Sequence, residues 1–304
     1  MKLGFMSAIL GFMNFEQVID TASALGYSCV ELACWPQEQA SRRYAGVSHL
    51  NVAELDDALV AHVKEYCAAK GVEISSLAYY PNNLDEDLEH RSYFHDHLRK
   101  VIDASAKLGI NMVTTFVGRM QTKTIEENFA EFAKVWPPII KFAEERGVKI
   151  AIENCPMLFS RDQWPGGLNI ASSPDNWRRM FEIIDSASFG LNFDPSHFVW
   201  LQMDYVKPIY EFKDKIFHIH FKDTKIDYDR LNDVGIMGYP MHYMIAKIPG
   251  HGQVDWGKFV SALSEVGFAG CACVEVEDRA FEGSHERILQ SLQLSKRYLE
   301  QFVI

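Results

Sequence analysis

Eight short apolar segments, each followed by a longer amphipathic segment, recur along the 304 residues of the chain. The short segments have the length and composition of β-strands, and the longer ones space their apolar residues along one helical face. Five helical segments end at a glycine, the residue that most readily adopts the left-handed conformation after a helix: Gly26, Gly71, Gly109, Gly147 and Gly267. Eight successive strand–helix units predict an α/β fold in which the strands close into a (β/α)8 TIM barrel.

The predicted strands are runs of five to seven residues. They lie at residues 2–6, 28–33, 73–79, 111–116, 148–153, 189–194, 216–221 and 271–276. Apolar segments continue from one end of the chain to the other without a compositional break. We therefore expect residues 1–304 to form a single domain.

Several strand-to-helix connections are long, whereas the helix-to-strand connections are short. The longest are residues 35–50, 155–173 and 222–254. In a TIM barrel these loops lie on the C-terminal face, which carries the active site. The loops around Trp164 and Tyr239 are rich in glycine, proline and aromatic residues. This composition suits either a cover over a small ligand, with Trp164 as a candidate contact, or a contact between subunits.

The composition argues against several classes of protein. A formal net charge of -11 disfavours binding to nucleic acid. The six cysteines include no C-x-x-C pair and are too sparse for a disulfide framework, which is typical of reduced thiols in a cytosolic protein. The sequence contains no recognisable secretion signal and no apolar run of membrane-spanning length. We therefore expect a cytoplasmic protein without a membrane partner.

Alternation along the last four predicted strands indicates which side chains face the barrel interior. Large apolar residues form one set and must meet the surrounding helices, so the small or polar set faces inward. Each inward set includes one metal-binding side chain near the end of its strand: Glu153, Asp194, His220 and Glu275. Any one of them could be a solvated carboxylate or a core histidine, but their shared phase favours a common site. Such a ligand set suits Mn2+, Mg2+ or Co2+, and Zn2+ is also compatible with it.

Five motifs occur in an order that resembles the xylose-isomerase-like sugar isomerase/epimerase superfamily, which includes the endonuclease IV-type barrels. The resemblance covers nearly the whole chain and is specific for the superfamily but not for a substrate. The motifs are Ile-Glu153-Asn-Cys-Pro, Asn-Phe-Asp194-Pro-Ser-His197, His218-Ile-His220-Phe-Lys-Asp223, Pro249-Gly-His-Gly-Gln-Val-Asp255-Trp256 and Val274-Glu275.

The resemblance implies roles for particular residues. Glu153, Asp194, His220 and Glu275 would bind one divalent cation, with Mn2+ preferred, and Glu153 and Glu275 would also act as the catalytic acid and base. His220 rather than His218 would be the ligand, because it directly precedes the Phe-Lys-Asp segment.

Four further residues are candidates for substrate contact under the same resemblance. His197 matches a histidine that lies beside the bound sugar, and Trp35 and Glu31 would line the pocket. For Glu31, a buried ion pair inside the barrel is an equally good alternative. His251 stands where many relatives have glutamate, so it is either a polar contact to the substrate or a surface turn residue.

The expected activity is therefore metal-dependent isomerisation or epimerisation of a ketose or a related keto-sugar or keto-polyol. The cation would stabilise a cis-enediolate, and the two glutamates would serve its two faces. A lyase of the same fold, acting by inosose dehydration or elimination from a 3-keto-glycoside, is the alternative. An endonuclease IV-type nuclease is disfavoured because the full set of ligands for three zinc ions is missing. No arginine cluster for a phosphate is evident, and relatives are often homo-oligomers.

Overall fold

The computed structural model of the protein describes residues 1–36, 44–158 and 160–303. Eight parallel strands close into one barrel in the order β1-β10-β7-β6-β5-β4-β3-β2. Their bounds agree with the predicted strands to within two residues, which confirms the predicted TIM barrel. The strands are β1 Lys2–Met6, β2 Cys29–Ala33, β3 Glu73–Ala78, β4 Met112–Thr115, β5 Lys149–Glu153, β6 Phe189–Phe193, β7 Ile216–Phe221 and β10 Cys271–Val274.

Helices surround the barrel and connect its strands. They are α1 Phe15–Leu25, α2 Asp57–Lys70, α3 Leu88–Leu108, α4 Ile125–Glu144, α5 Pro174–Ile183, α6 Ser196–Trp200, α7 Lys207–Glu211, α8 Tyr228–Val234, α9 Trp256–Glu265 and α10 His285–Leu299. Gly26 caps α1 with a φ of 75°. Gly71 and Gly109 end α2 and α3 in the same left-handed conformation, as the glycine spacing predicts.

The large apolar residues of the strands face the helices, as their alternation predicts. The ring of Phe189 on β6 lies 5.9 Å from that of Trp136 on α4. The ring of Phe193 lies 5.6 Å from that of Trp177 on α5. The smaller and polar residues of the strands are therefore left to fill the barrel interior. Among the described residues, no helix combines the length and the apolar composition needed to cross a membrane.

An antiparallel hairpin lies outside the barrel, within the connection between β7 and α9. Its strands are β8 Asp223–Ile226 and β9 Met244–Lys247, and residue 223 pairs with residue 247. These strands are not evident from the sequence, because four-residue segments of mixed polarity carry almost no periodic signal. The chain between β7 and α9 therefore leaves the barrel and returns to it at neighbouring positions.

The carboxylate of Asp223 holds this connection in place. It accepts hydrogen bonds from the backbone amides of Gly250, Gly252 and Val254 and from the indole of Trp256, all at 3.0–3.1 Å. A Cβ atom on Gly252 would lie 2.2 Å from Asp223 Oδ1, so only glycine fits there. The Pro249–Trp256 motif is thus explained by the anchoring of a loop.

Candidate active site

Four side chains converge at the C-terminal end of the barrel. Glu153 ends β5, Asp194 follows β6, His220 lies on β7 and Glu275 follows β10. One ligand atom from each lies within 4.8 Å of the others. Three of them are at most 2% exposed, while the side chain of Glu275 is 20% exposed. The fold therefore brings together the four residues predicted as metal ligands, called the quartet below.

Three buried atoms of the quartet make no hydrogen bond within the described ranges: Glu153 Oε1, Asp194 Oδ2 and His220 Nδ1. Of these, Asp194 Oδ2 has charged or polar neighbours, Lys222 Nζ at 3.1 Å and His197 Nε2 at 3.3 Å. His220 Nδ1 lies 3.5 Å from Glu153 Oε1 and 3.4 Å from Glu275 Oε2. A buried polar atom left unpaired costs about 1–3 kcal/mol. A divalent cation would satisfy all three atoms at once, so this arrangement fits the hard cation that the donor atoms suggest.

The imidazole of His220 is oriented from below by Glu31. Its Nε2 lies 2.6 Å from the Glu31 carboxylate, which also accepts hydrogen bonds from Tyr80 at 2.5 Å and Thr114 at 2.6 Å. Burial alone raises the pKa of Glu31, but the adjacent His220 outweighs it and lowers the pKa to about 2. A carboxylate bound to one ring nitrogen leaves the other free to bind a cation.

Glu31 is therefore placed differently from the predicted substrate contact. It is fully buried, and it is not among the described residues that line the cavity. Its position matches the alternative interpretation, a buried ion pair inside the barrel. The family resemblance made Glu31 a candidate, but it gave no depth for this residue within the barrel.

His218 lies two residues before His220 on β7, one layer deeper in the barrel. Its Nδ1 lies 3.0 Å from Asn192 Oδ1, and its Nε2 lies 3.1 Å from Ser75 Oγ. Both ring nitrogens thus have partners in the core. This placement supports His220 as the member of the pair that faces a cation.

His197, on α6, presents an N–H group to the quartet. Its Nε2 lies 3.3 Å from Asp194 Oδ2 and 3.7 Å from Glu153 Oε1, and Trp200 Nε1 donates to its Nδ1 at 3.4 Å. Because an indole N–H can only donate, Nδ1 must accept and Nε2 must carry the proton. His197 is therefore suited to donate to an oxygen of a bound ligand rather than to bind the cation.

Lys222 is a further member of the site. Its Nζ lies 2.6 Å from Glu275 Oε2, 3.1 Å from Asp194 Oδ2 and 3.2 Å from Glu277 Oε2, and the side chain is 3% exposed. Burial lowers the pKa of Lys222, but the surrounding carboxylates, Asp194 foremost, outweigh it and hold the pKa well above its usual value. A charged ammonium therefore lies against the quartet.

Lys222 is evident from the sequence only as part of a motif. Its spacing of two residues from His220 places it in the same inward phase, and that signal could have identified it. A lysine at the end of a strand usually faces solvent. The residue type by itself therefore does not indicate a buried site residue.

A cavity of about 620 Å3, including its open mouth, lies above the quartet. Apolar and aromatic side chains form much of its wall, and charged groups lie together at one side. Trp35 lines the cavity as predicted. The described lining residues are Met6, Ala8, Ile9, Trp35, Tyr44, Tyr80, Phe116, Glu153, Cys155, Lys222, Glu275, Val276 and Glu277.

Trp164 lies away from this cavity. It packs against an outer apolar cluster that includes Trp200 and Tyr243, and its Nε1 donates to the backbone oxygen of Met237 at 3.3 Å. Trp164 thus connects two loops of the C-terminal face instead of lining the cavity as predicted. Loop residues have no periodicity from which their direction could be read.

His251 is also outside the cavity. It is exposed, on the turn whose flanking amides of Gly250 and Gly252 are bound to Asp223. Its ring lies 6.1 Å from that of Phe281, and it is not among the described residues that line the cavity. The surface turn, which was the alternative interpretation, describes its position.

The chain is similar to several known proteins. The family model for xylose isomerase-like TIM barrels matches residues 19–298. The uncharacterized protein YfiH of Bacillus subtilis is 24% identical over 91% of this chain and 93% of its own. An inosose dehydratase of Lacticaseibacillus casei is 23% identical over 95% of this chain and 89% of its own.

Two solved structures share the architecture. A D-psicose 3-epimerase from Clostridium cellulolyticum H10, crystallised with D-tagatose, has a TM-score of 0.70 and 15% identity over 100% of this chain and 99% of its own. The IolI protein with a bound zinc atom has a TM-score of 0.71 and 20% identity over 98% and 99%. At these identities the likeness concerns the fold.

Proposed function

Because the chain belongs to the xylose isomerase-like TIM barrel family, we propose that it is a divalent-metal-dependent isomerase or epimerase of an uncharged keto-sugar or keto-polyol. The observation that carries this proposal is the quartet, in which two glutamates, an aspartate and a histidine each bring a ligand atom within 4.8 Å of the others. Carboxylates held this close repel one another, and a cation bound among them would offset that repulsion. A bound cation would supply the positive charge that stabilises negative charge developing on substrate oxygens.

The two glutamates would move the protons. Glu153 and Glu275 both line the cavity, and their strands β5 and β10 are separated by β6 and β7 along the shorter path around the barrel. They therefore reach a bound sugar from different sides. One would take the proton from the carbon beside the carbonyl, and the other would return it. Return to the opposite face gives epimerisation, and return to the neighbouring carbon gives isomerisation.

His197 would assist by donating its Nε2 proton to an oxygen of the substrate. Its indole partner Trp200 keeps Nδ1 as an acceptor, so the proton faces the quartet. A fixed donor at this position would orient a hydroxyl or carbonyl group beside the two glutamates. This role agrees with the one that the family resemblance implies for His197.

The charges of the cavity favour an uncharged substrate. Glu277 adds a further carboxylate to the wall, and Lys222 is paired to the carboxylates around it. No arginine is among the described lining residues. A phosphate or carboxylate on the substrate would therefore meet net negative charge. The names of the relatives, D-psicose 3-epimerase and inosose dehydratase, are consistent with a neutral ketose or cyclic polyol ketone.

Solvent exchange measured by NMR tests the proposal and separates it from a lyase. The Mn2+-loaded protein is incubated in deuterated water with D-psicose, D-tagatose, D-fructose and an inosose. The Mn2+ is replaced by Mg2+ or Zn2+ when spectra are recorded. An epimerase or isomerase should yield a second sugar that carries deuterium at one carbon. A lyase should instead release water and form a double bond.

Protein treated with a chelator is the control and should show neither change. If metal-loaded protein neither exchanges protons nor converts any of these compounds, the proposed substrate class is wrong. If the chelated protein is fully active, the proposed metal dependence is wrong.

A further inference from the structure

The ammonium of Lys222 and a divalent cation would contact the same oxygens. Nζ lies 2.6 Å from Glu275 Oε2 and 3.1 Å from Asp194 Oδ2, and it lies 3.9 Å from Glu153 Oε1. All three atoms belong to the quartet. The lysine is thus directed at the quartet itself rather than at a separate ion pair.

From these contacts we propose that Lys222 is an internal counter-cation that keeps the carboxylates of the quartet together and competes with the divalent cation for them. Lys222 would in this way set the metal affinity of the site. The inference rests on the proposed metal centre and concerns how that centre is regulated.

The negative charge around Nζ explains why a positive charge is required beside the quartet. Four carboxylates surround Nζ within 4 Å, those of Glu153, Asp194, Glu275 and Glu277. Carboxylates this close repel one another, and burial weakens the screening by water. The ammonium offsets that repulsion. A divalent cation bound to the same oxygens would in turn be repelled by the ammonium, so each weakens the binding of the other.

Glu277 provides a second partner for Lys222 outside the quartet. Its carboxylate lies 3.2 Å from Nζ, and its side chain is 33% exposed on the cavity wall. When a divalent cation takes the oxygens of Asp194 and Glu275, the flexible lysine side chain can keep its contact with Glu277. The next residue, Asp223, is fixed by hydrogen bonds to the 250–256 loop. The backbone beside Lys222 is thus held, so a change of partner would involve only the lysine side chain.

The test compares metal affinity and thermal stability in Lys222→Met and the wild type. We expect Lys222→Met to bind Mn2+ on the order of 10- to 100-fold more tightly by calorimetry, because a repelling charge within about 4 Å is removed. The chelated variant should melt at a lower temperature than the chelated wild type, whereas the two metal-loaded proteins should melt at similar temperatures. Lys222→Arg keeps the charge and should stay close to the wild-type affinity.

Lys247→Met is the matched control. Lys247 pairs with the buried Asp278 at 3.1 Å, outside the quartet, so its loss should leave Mn2+ affinity unchanged. Unchanged or weaker affinity in Lys222→Met would overturn the inference, as would an equal loss of stability in the loaded and chelated forms. If wild type and variants alike fail to bind any divalent cation, the proposed function itself fails instead.

Glu277→Gln keeps the inference testable if Lys222→Met does not fold. Without its second partner, the ammonium should stay at the quartet, and Mn2+ should bind more weakly than to the wild type. Affinity equal to or higher than that of the wild type would contradict the competition.

Discussion

The ring nitrogens of His218 and His220 have different neighbours, although the two residues lie on the same face of β7. His218 is bound on both sides by Asn192 and Ser75. His220 is bound on one side by Glu31 and keeps Nδ1 unpaired at the quartet. This difference separates a residue whose ring nitrogens are both bound in the core from one that would bind a cation under the proposed function.

Replacing each histidine by alanine should separate the two roles. We expect His220→Ala to lose bound metal because a ligand is removed from the quartet. His218→Ala should retain about one metal per chain but lower the free energy of unfolding by about 2–4 kcal/mol, through a buried cavity and two unpaired partners. Elemental analysis and chemical denaturation of both variants provide the measurement. The reverse pattern would show that His218, not His220, is the ligand.

The two proposed acid/base residues can be tested without removing the cation. Glutamine at position 153 or 275 keeps the size of the side chain and one oxygen, but it cannot act as a base. Turnover should fall about 100- to 10,000-fold, while metal binding weakens less. Rates under saturating Mn2+ and parallel metal titrations measure the two effects separately.

The two variants should also differ in exchange with deuterated water. Each can still exchange the substrate proton on the face served by its remaining glutamate, so Glu153→Gln and Glu275→Gln should label opposite epimers. Near wild-type turnover in both variants with metal bound would mean that neither glutamate is the base.

At the level of elements, the barrel strands orient the side chains of the quartet, and hydrogen bonds hold the connection after β7 in place. The strand ends of β5, β6, β7 and β10 point their last inward side chains at one place. The connection after β7 is long, yet it is held by one buried carboxylate, that of Asp223. The stability of this connection therefore depends on how closely the 250–256 turn can approach that residue.

Gly252→Ala should disrupt this anchor. The added Cβ would lie 2.2 Å from Asp223 Oδ1 and 2.7 Å from the amide of Thr224, so the carboxylate must move and lose hydrogen bonds. We expect the free energy of unfolding to fall by about 2–3 kcal/mol, measured by urea denaturation. Gly257→Ala on α9 is the control, because its nearest neighbour would be 3.5 Å away. A loss in Gly252→Ala no larger than in Gly257→Ala would show that the close approach is unimportant.

At the scale of the whole molecule, a closed barrel explains which features the sequence could predict. Alternation along a strand has only two outcomes, and a barrel gives them a clear meaning, inside or outside. Strand positions and the convergence of the quartet follow from that rule. Glu31 shows its limit, because depth within the barrel depends on contacts such as Tyr80 and His220 that are distant in sequence.

Residues in loops follow no comparable rule. Composition makes Trp164 a candidate for substrate contact, and family position makes His251 either such a contact or a surface turn residue; neither is among the described residues that line the cavity. Their positions depend on contacts distant in sequence, Met237 for Trp164 and Asp223 for the neighbours of His251. The short strands β8 and β9 are not evident from the sequence for a related reason, since each is stable only when paired with the other.

The hairpin outside the barrel has a consequence for how such enzymes diversify. Residues 223 and 247 pair directly, so the two ends of the intervening segment stay adjacent whatever its length or composition. Evolution, or a protein engineer, could therefore exchange residues 227–243 as a cassette while the quartet and its supporting hydrogen bonds stay in place. One barrel could in this way carry different outer segments, while the described residues that line its cavity stayed the same.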